Sequence, residues 1–320
     1  KFMGFVVGSP SPRWLLLALA TLPRAVISQF AYTPTPAGMV LSHCVHEIPS
    51  GARVEEANDG SLLISTPPSM AILVIPPCDN HNGTYPTVVG HPRSMRIPGD
   101  AEVNLPADYD GWLQYTAYHD TEGFDSFIGK FTVPDNPKRH PHILYLFTGL
   151  QNIDWIPKVD AEPSEAFDII QPVIQYPADW GEDHWSVKSW YVTLKAGALH
   201  SREVPCKTGD VVLGVMNRTG AESWVISSTV QSSGKTTSQT VSNKRLVSQP
   251  WAYTTLECYG CRDCSTYPKA PVNFTDMTLT TGNGPVRSFA WEKNPKPQPD
   301  QKCNENVHIQ DQTSVLYTFQ

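Results

Sequence analysis

No stretch of this 320-residue chain approaches the roughly 18 consecutive apolar residues that a membrane-spanning helix needs, so no membrane partner is expected. Basic excess is missing as well. The chain carries 24 Lys and Arg against 31 Asp and Glu, a formal charge of −7, which leaves no electrostatic footprint for nucleic acid. Sustained helical periodicity is absent between residues 109 and 280, and 29 prolines and 21 glycines interrupt the chain throughout. The familiar catalytic signatures are lacking too: there is no nucleophile elbow, no phosphate loop and no paired-histidine zinc helix. Close histidine pairs occur only in His43-Cys44-Val45-His46 and His140-Pro141-His142, both in proline-rich surroundings. No cofactor and no metal are expected.

The N-terminus reads as an export signal. Lys1 and Arg13 precede an apolar run from Trp14 to Leu22, with short side chains following around Val26 and Ser28. Three glycosylation sequons agree with a secreted, extracellular glycoprotein: Asn82-Gly-Thr, Asn217-Arg-Thr and Asn273-Phe-Thr. Seven cysteines, Cys44, Cys78, Cys206, Cys258, Cys261, Cys264 and Cys303, are disulfide candidates in that compartment, and one must be left over. The Cys258, Cys261, Cys264 spacing suits a metal, but no fourth ligand lies nearby, and oxidation to disulfides is the favoured reading. Cys44 and Cys78 are placed to close the N-terminal region as a unit.

From residue 109 the text becomes regular. Short β-prone runs bounded by turn residues recur at 111–118, 127–133, 143–147, 167–176, 187–194, 211–216, 224–230 and 236–241. In Phe127-Ile-Gly-Lys-Phe-Thr-Val133 the apolar side chains alternate with Lys130 and Thr132, which is strand periodicity. Ten of the sixteen residues from 227 to 242 are Ser or Thr, and valines at strand spacing favour a solvated hairpin bending near Gly234 over disorder. Many short strands with no long helix predict an all-β sandwich of two antiparallel sheets. The expected organisation is a signal peptide over 1–28, an irregular proline-rich N-terminal module or pro-segment over 29–105, a β-sandwich domain over 106–281, and a proline-rich C-terminal tail over 282–320. One oddity stands out: Phe167-Asp-Ile-Ile-Gln-Pro-Val-Ile-Gln-Tyr176 has the apolar content of a buried strand but carries Gln171 and Gln175, and a buried amide without partners costs about 1–3 kcal/mol.

The order of short motifs resembles the secreted glutamic peptidases, the eqolisins. Gly111-Trp112 opens the matching region, followed by Phe124 to Pro134 with its closing Val-Pro, then Phe147-Thr-Gly-Leu150 and Ile169-Ile-Gln171. Ser189-Trp190-Tyr191, Gly209-Asp210, the Ser-Ser-Gly-Lys bend and Trp251 to Glu257 come next in the family's order. The resemblance spans about residues 109–275 and implies a concanavalin-A-like β-sandwich. It further implies that Gln171 and Glu257 form a catalytic pair acting on a polypeptide substrate, with Phe147, Gln151, Gln175 and Trp190 lining the cleft. Such a pair would use a water nucleophile, Glu257 as general base then acid, and Gln171 as oxyanion donor, working at acid pH. This chain departs from the family at Phe147, Gln151 and Ser189, where tryptophan, aspartate and glutamate are usual. The rival expectation keeps the fold without the catalysis: an extracellular matrix or carbohydrate-binding protein presenting Trp155, Trp180 and Trp185 to a glycan or matrix component.

Overall fold

The computed structural model describes residues 32–68, 72–78, 95–97, 101–103, 111–152, 168–178, 182–193, 197–261, 263–293 and 303–319. The expected signal segment and Asn82 lie outside the described residues. Two large sheets account for most of what is described, and no α-helix occurs among those residues.

The first sheet runs in the order Glu292–Lys293, Gly111–His119, Trp251–Tyr259, Ile143–Gln151, Asp168–Tyr176, Trp185–Thr193, Gly197–Ser201, Val45–Ile48. The second runs Asn306–Asp311, Ser314–Thr318, Val272–Thr281, Ser126–Thr132, Val211–Gly220, Ser223–Val230, Lys235–Ser242, Ala52–Glu56, Leu62–Ser65, Ile72–Ile75. The sandwich follows from period-two burial. Leu144, Leu146 and Leu150, then Ile170 and Ile174, then Val187 and Tyr191, point to the second sheet and meet Phe131, Val212, Ile226 and Met216 there. Close approach is required at Gly214, where a Cβ would stand 2.7 Å from Pro172 and 2.9 Å from the Phe131 ring.

The ladder is antiparallel except at two junctions. Val45–Ile48 joins Gly197–Ser201 in parallel, and Ala52–Glu56 joins Lys235–Ser242 in parallel. Thus the proline-rich region expected to be irregular supplies one strand to the first sheet and three to the second. In the C-terminal tail the strand Ser314–Thr318 forms where the run Ser314–Phe319 has strand character, and Asn306–Asp311 joins it, so both extend the second sheet beyond Val272–Thr281. Pro49, Pro67, Pro68, Pro76 and Pro77 fall just outside the N-terminal strands, leaving four- and five-residue runs free to pair.

Three disulfides form: Cys44–Cys78, Cys258–Cys261 and Cys264–Cys303. The Cys-rich run is therefore covalent cross-linking and not a metal cluster. Cys206 is the thiol left over; it is buried, and that burial, with Asp210 and Glu203 nearby, pushes its thiol far up.

A buried ionic network fixes the N-terminal strands to the sandwich. Asp168, with no exposed surface, accepts hydrogen bonds from the Tyr191 hydroxyl, the Asn243 amide and the Arg245 guanidinium. Arg245 also donates to the Glu56 carboxylate and to Thr193 Oγ1 at 3.1 Å. Two carboxylates share one guanidinium. Burial consequently outweighs the attraction of Arg245 and pushes the Asp168 carboxyl from 3.8 up to about 6.

Two expectations follow. The folded chain takes up a proton at Asp168 as pH falls through about 6, whereas the unfolded chain waits until about 3.8. The stability contributed by this group is complete below the lower value and lost as pH rises through the upper one, up to about 3 kcal/mol. Urea unfolding of wild type should show a higher midpoint at pH 4.5 than at pH 7.5, and Asp168→Asn should reduce that difference; an unchanged pH dependence would count against the assignment. Secondly, a thiol reagent at pH 8 should label no cysteine in the native protein and one after unfolding without reductant.

Candidate active site

The alternate residues of the central strands build the other face of the first sheet. Tyr145 and Phe147 on Ile143–Gln151, Ile169 and Val173 on Asp168–Tyr176, and Trp190 and Val192 on Trp185–Thr193 form a second apolar cluster. It also contains Trp112, Tyr115, Tyr253 and Tyr259. Trp112 meets Tyr115, Phe147 and Tyr253 edge-on, with ring centroids 5.4 to 5.6 Å apart. This aromatic face holds the two residues of interest.

Glu257 has no exposed surface and sits one residue from the Cys258–Cys261 bridge. Cross-strand neighbours are Tyr145 on one side and Trp112 on the other. The Tyr259 hydroxyl donates to Glu257 Oε1 at 2.5 Å, while Oε2 is buried with no protein partner among the described residues. Burial pushes the carboxyl well above the ordinary range. The Tyr259 hydrogen bond and the Trp112 indole act downward and recover only part, the indole N–H closing no regular hydrogen bond.

Gln171 is also fully buried. It pairs with Trp190 across the ladder, and its Cγ would lie 3.5 Å from a Cβ placed on Gly149, so the glycine leaves the floor beside the amide open. The ladder between the two strands is interrupted between Phe147↔Val173 and Leu150↔Ile170, where Pro172, lacking an N–H, follows Gln171. Gln171 and Glu257 therefore share one face of one sheet but do not stand side by side: across the Ile143–Gln151 strand Gln171 lies level with Gly149 and Tyr253, whereas Glu257 lies level with Tyr145, four residues or about 13 Å further along. Gln175 shares the row of Tyr145 and Glu257.

A small separate hairpin covers them. Tyr32–Thr35 pairs only with Gly38–Leu41, and its apolar residues Ala37, Val40 and Leu41 are buried in the aromatic cluster. Its turn presents three successive carbonyls to the face below. Tyr145 Oη donates to Pro34 O at 2.8 Å and Gln171 Nε2 donates to Pro36 O at 2.6 Å, while Tyr259 Oη, its one proton directed to Glu257, lies 3.3 Å from Thr35 O. Gln171 Oε1 is left buried without a protein partner among the described residues. Beside the hairpin remains a cavity of about 360 Å³ bounded by Tyr145, Gln175, Trp190, Lys188 and His200.

A family model, the Peptidase A4 family, matches residues 114–317. The chain belongs to that family. Solved structures similar to it include scytalido-glutamic peptidase with a transition-state analogue inhibitor, 14% identical over 67% of this chain and 99% of that one, TM-score 0.47. SCP-B, a member of the eqolisin family in complex with the tripeptide Ala-Ile-His, gives 14% identity, the same coverage and 0.44. Aspergilloglutamic peptidase from Aspergillus niger gives 15% identity over 56% of this chain and 99% of that one, with 0.39. No curated protein matches the sequence. The A4 membership and the sheet pair agree with the β-sandwich expected from the motif order.

Of the cleft residues expected, Phe147, Gln175 and Trp190 lie on the same face as Gln171 and Glu257, and Gln151 lies at its far end, paired with Ile169 and Trp251. Trp185 does not line it. It is buried on the opposite face, in the sandwich core, which removes it as a sugar platform; Trp155 and Trp180 lie outside the described residues. Asn217 is exposed on its strand, whereas Asn273 is half-buried with its Oδ1 enclosed. Sequence reasoning missed Tyr145, Tyr259 and the Pro34–Pro36 carbonyls. Tyr259 was accessible to it, because a residue two beyond Glu257 on a strand shares its face.

Removing the Tyr259 hydroxyl takes away the donor that favours ionised Glu257. Tyr259→Phe should therefore raise the pH at which Glu257 titrates, as followed by carboxyl carbon-13 NMR; no shift, or a downward one, would contradict the hydrogen-bond assignment.

Proposed function

We infer that the protein is a secreted acid endopeptidase of the glutamic type, acting on unfolded polypeptide through Gln171, Glu257 and a water. The observation that carries this reading is that the face around the pair already holds peptide backbone by its carbonyls, with Gln171 Nε2 on Pro36 O at 2.6 Å. A donor aimed at a peptide carbonyl is what an oxyanion site requires. Glu257 supplies the other half: a buried carboxyl with one oxygen uncommitted.

The reaction requires substrate binding to close the offset of about 13 Å between the two residues along the sheet; ionised Glu257 then takes a proton from water as the oxygen attacks the carbonyl carbon. The oxyanion that forms accepts the Gln171 N–H. The C–N bond then breaks as Glu257 returns its proton to the departing amine. Burial raises the Glu257 carboxyl while the hairpin is seated; water and substrate entering the face bring it back toward its ordinary range, which sets the working range at acid pH. Three disulfides suit an oxidising, extracellular setting, and solvent-exposed Asn217 is the sequon best placed to carry a glycan.

The test is cleavage of a denatured protein from pH 2 to 7. Wild type should cleave best at acid pH, and Gln171→Ala should lower kcat by about 10²-fold or more, the scale of losing one oxyanion donor. Glu257→Gln should lower it at least as far. Cleavage by both variants at the wild-type rate would sink the reading.

A further inference from the structure

We propose that the cavity bounded by Lys188 and Trp190 is a carboxylate site, one that anchors an acidic side chain or the free C-terminus of a polypeptide substrate. This rests on the peptidase reading above and adds the substrate class of the same face.

Strand periodicity puts the cation there. Trp185–Thr193 is buried along its whole length, and Val187 and Tyr191 turn into the sandwich core. Period two therefore sends Lys188 to the outer face, beside Trp190. Lys188 is only 1% exposed, and it stands at the wall of the cavity. The face of the Trp190 ring steadies its ammonium, with Nζ 5.8 Å from the ring centroid.

The surroundings of that ammonium select an acceptor. At about 360 Å³ the cavity falls at the small end of ligand sites, and no Asp or Glu occurs among the described residues that line it. Glu47, across the ladder from His200, is exposed and paired with Arg202 at 3.4 Å. The Trp190 indole N–H is enclosed with no partner among the described residues, so it offers a second donor. An ammonium and an indole N–H donate and never accept. A carboxylate accepts from both with either oxygen, whereas a carboxamide of the same shape has one oxygen and an NH2 group that finds no acceptor in them.

The position suits a substrate anchor. Trp190 pairs with Gln171, Lys188 pairs with Val173, and Gln175 pairs with Tyr145, which pairs in turn with Glu257. Lys188 thus stands level with the middle of the interval that separates Gln171 from Glu257 along the sheet. Its strand lies three places from that of Glu257, about 14 Å across the sheet, or about four residues of extended chain. The cavity opens beside the hairpin with exposed His142 at its rim, so a small ligand reaches it with the hairpin in place.

The experiment titrates three heptapeptides at pH 5 by calorimetry, in the Glu257→Gln background so that none is consumed. The first has a central glutamate between capped ends, the second a glutamine there, and the third the glutamine with an uncapped C-terminal carboxylate. At that pH a glutamate side chain, with a pKa of about 4.3, is mostly ionised. The first or the third peptide should bind about tenfold or more tightly than the second, the scale of hydrogen bonds to a charged group, and whichever does so identifies the source of the carboxylate. Lys188→Met should erase the preference and Lys188→Arg should keep it, with thermal melting to establish that each is folded. Trp190→Phe keeps a ring and drops the N–H; it should reduce the preference and is the second route if Lys188→Met does not fold. In wild-type digests of a denatured protein at pH 5, mass spectrometry should find cuts with Asp or Glu at one fixed position within about four residues, or cuts confined to chain ends. Equal affinity for all three peptides, binding by none, or a preference that survives Lys188→Met overturns the carboxylate site, and cleavage alongside that result leaves the peptidase reading standing. A preference that depends on Lys188 without any cleavage by wild type defeats the peptidase reading and upholds the carboxylate site.

Discussion

The Asp168–Tyr176 strand is buried on both faces, and the rest of the molecule is arranged around that constraint. One face, Ile170, Pro172 and Ile174, faces the opposite sheet and has a conventional apolar core to meet. The other, Ile169, Gln171, Val173 and Gln175, needs a cover of its own. Because successive side chains on a strand point to opposite faces, a single-residue slip would put both amides into the sandwich core and the isoleucines into the cleft. The register is held accordingly by Pro172 against Gly214 on one side and by the aromatic cluster on the other. That partition makes it possible for a stable sandwich to carry a polar site in its outer face without disturbing the core that holds it.

Both faces also keep carboxyls out of water. Asp168 lies at the core's edge with a guanidinium that it shares with Glu56, and Glu257 lies on the outer face with only a phenol and an indole. In each case burial dominates and the neutral form is favoured. A fold with such groups gains from acidification, where many proteins lose their carboxylate pairs.

Much of this was legible in the chain itself. Alternation at 127–133 and the apolar run at 143–147 gave strands where strands are found, because period two follows directly from the pleat. The pairing of Cys44 with Cys78 agreed with the reading of that region as a closed unit, while the cysteine run at 258–264 resolved as one bridge within itself and one to Cys303. Less legible were the strands in residues 45–75. Their prolines masked short pairing runs that are recognisable only beside the edges they extend, Gly197–Ser201 and Lys235–Ser242. Trp185 was exposed only in the rival reading, with packing the favoured alternative, and the chain could not decide between them for a related reason: a tryptophan at a loop's end looks alike whether the next strand turns it in or out.

The sequence alone determined the class of fold, the alternation that places Gln171 and Glu257 on strands, and the oxidising chemistry of its cysteines, since each depends on local spacing or composition. Tertiary structure decided that the two residues share one face, that Tyr145 and Tyr259 stand with them, and that the carbonyls of Pro34 to Pro36 reach them from more than a hundred residues away. Those contacts depend on where distant segments are brought by sheet order, and no pattern within a single segment encodes its partner.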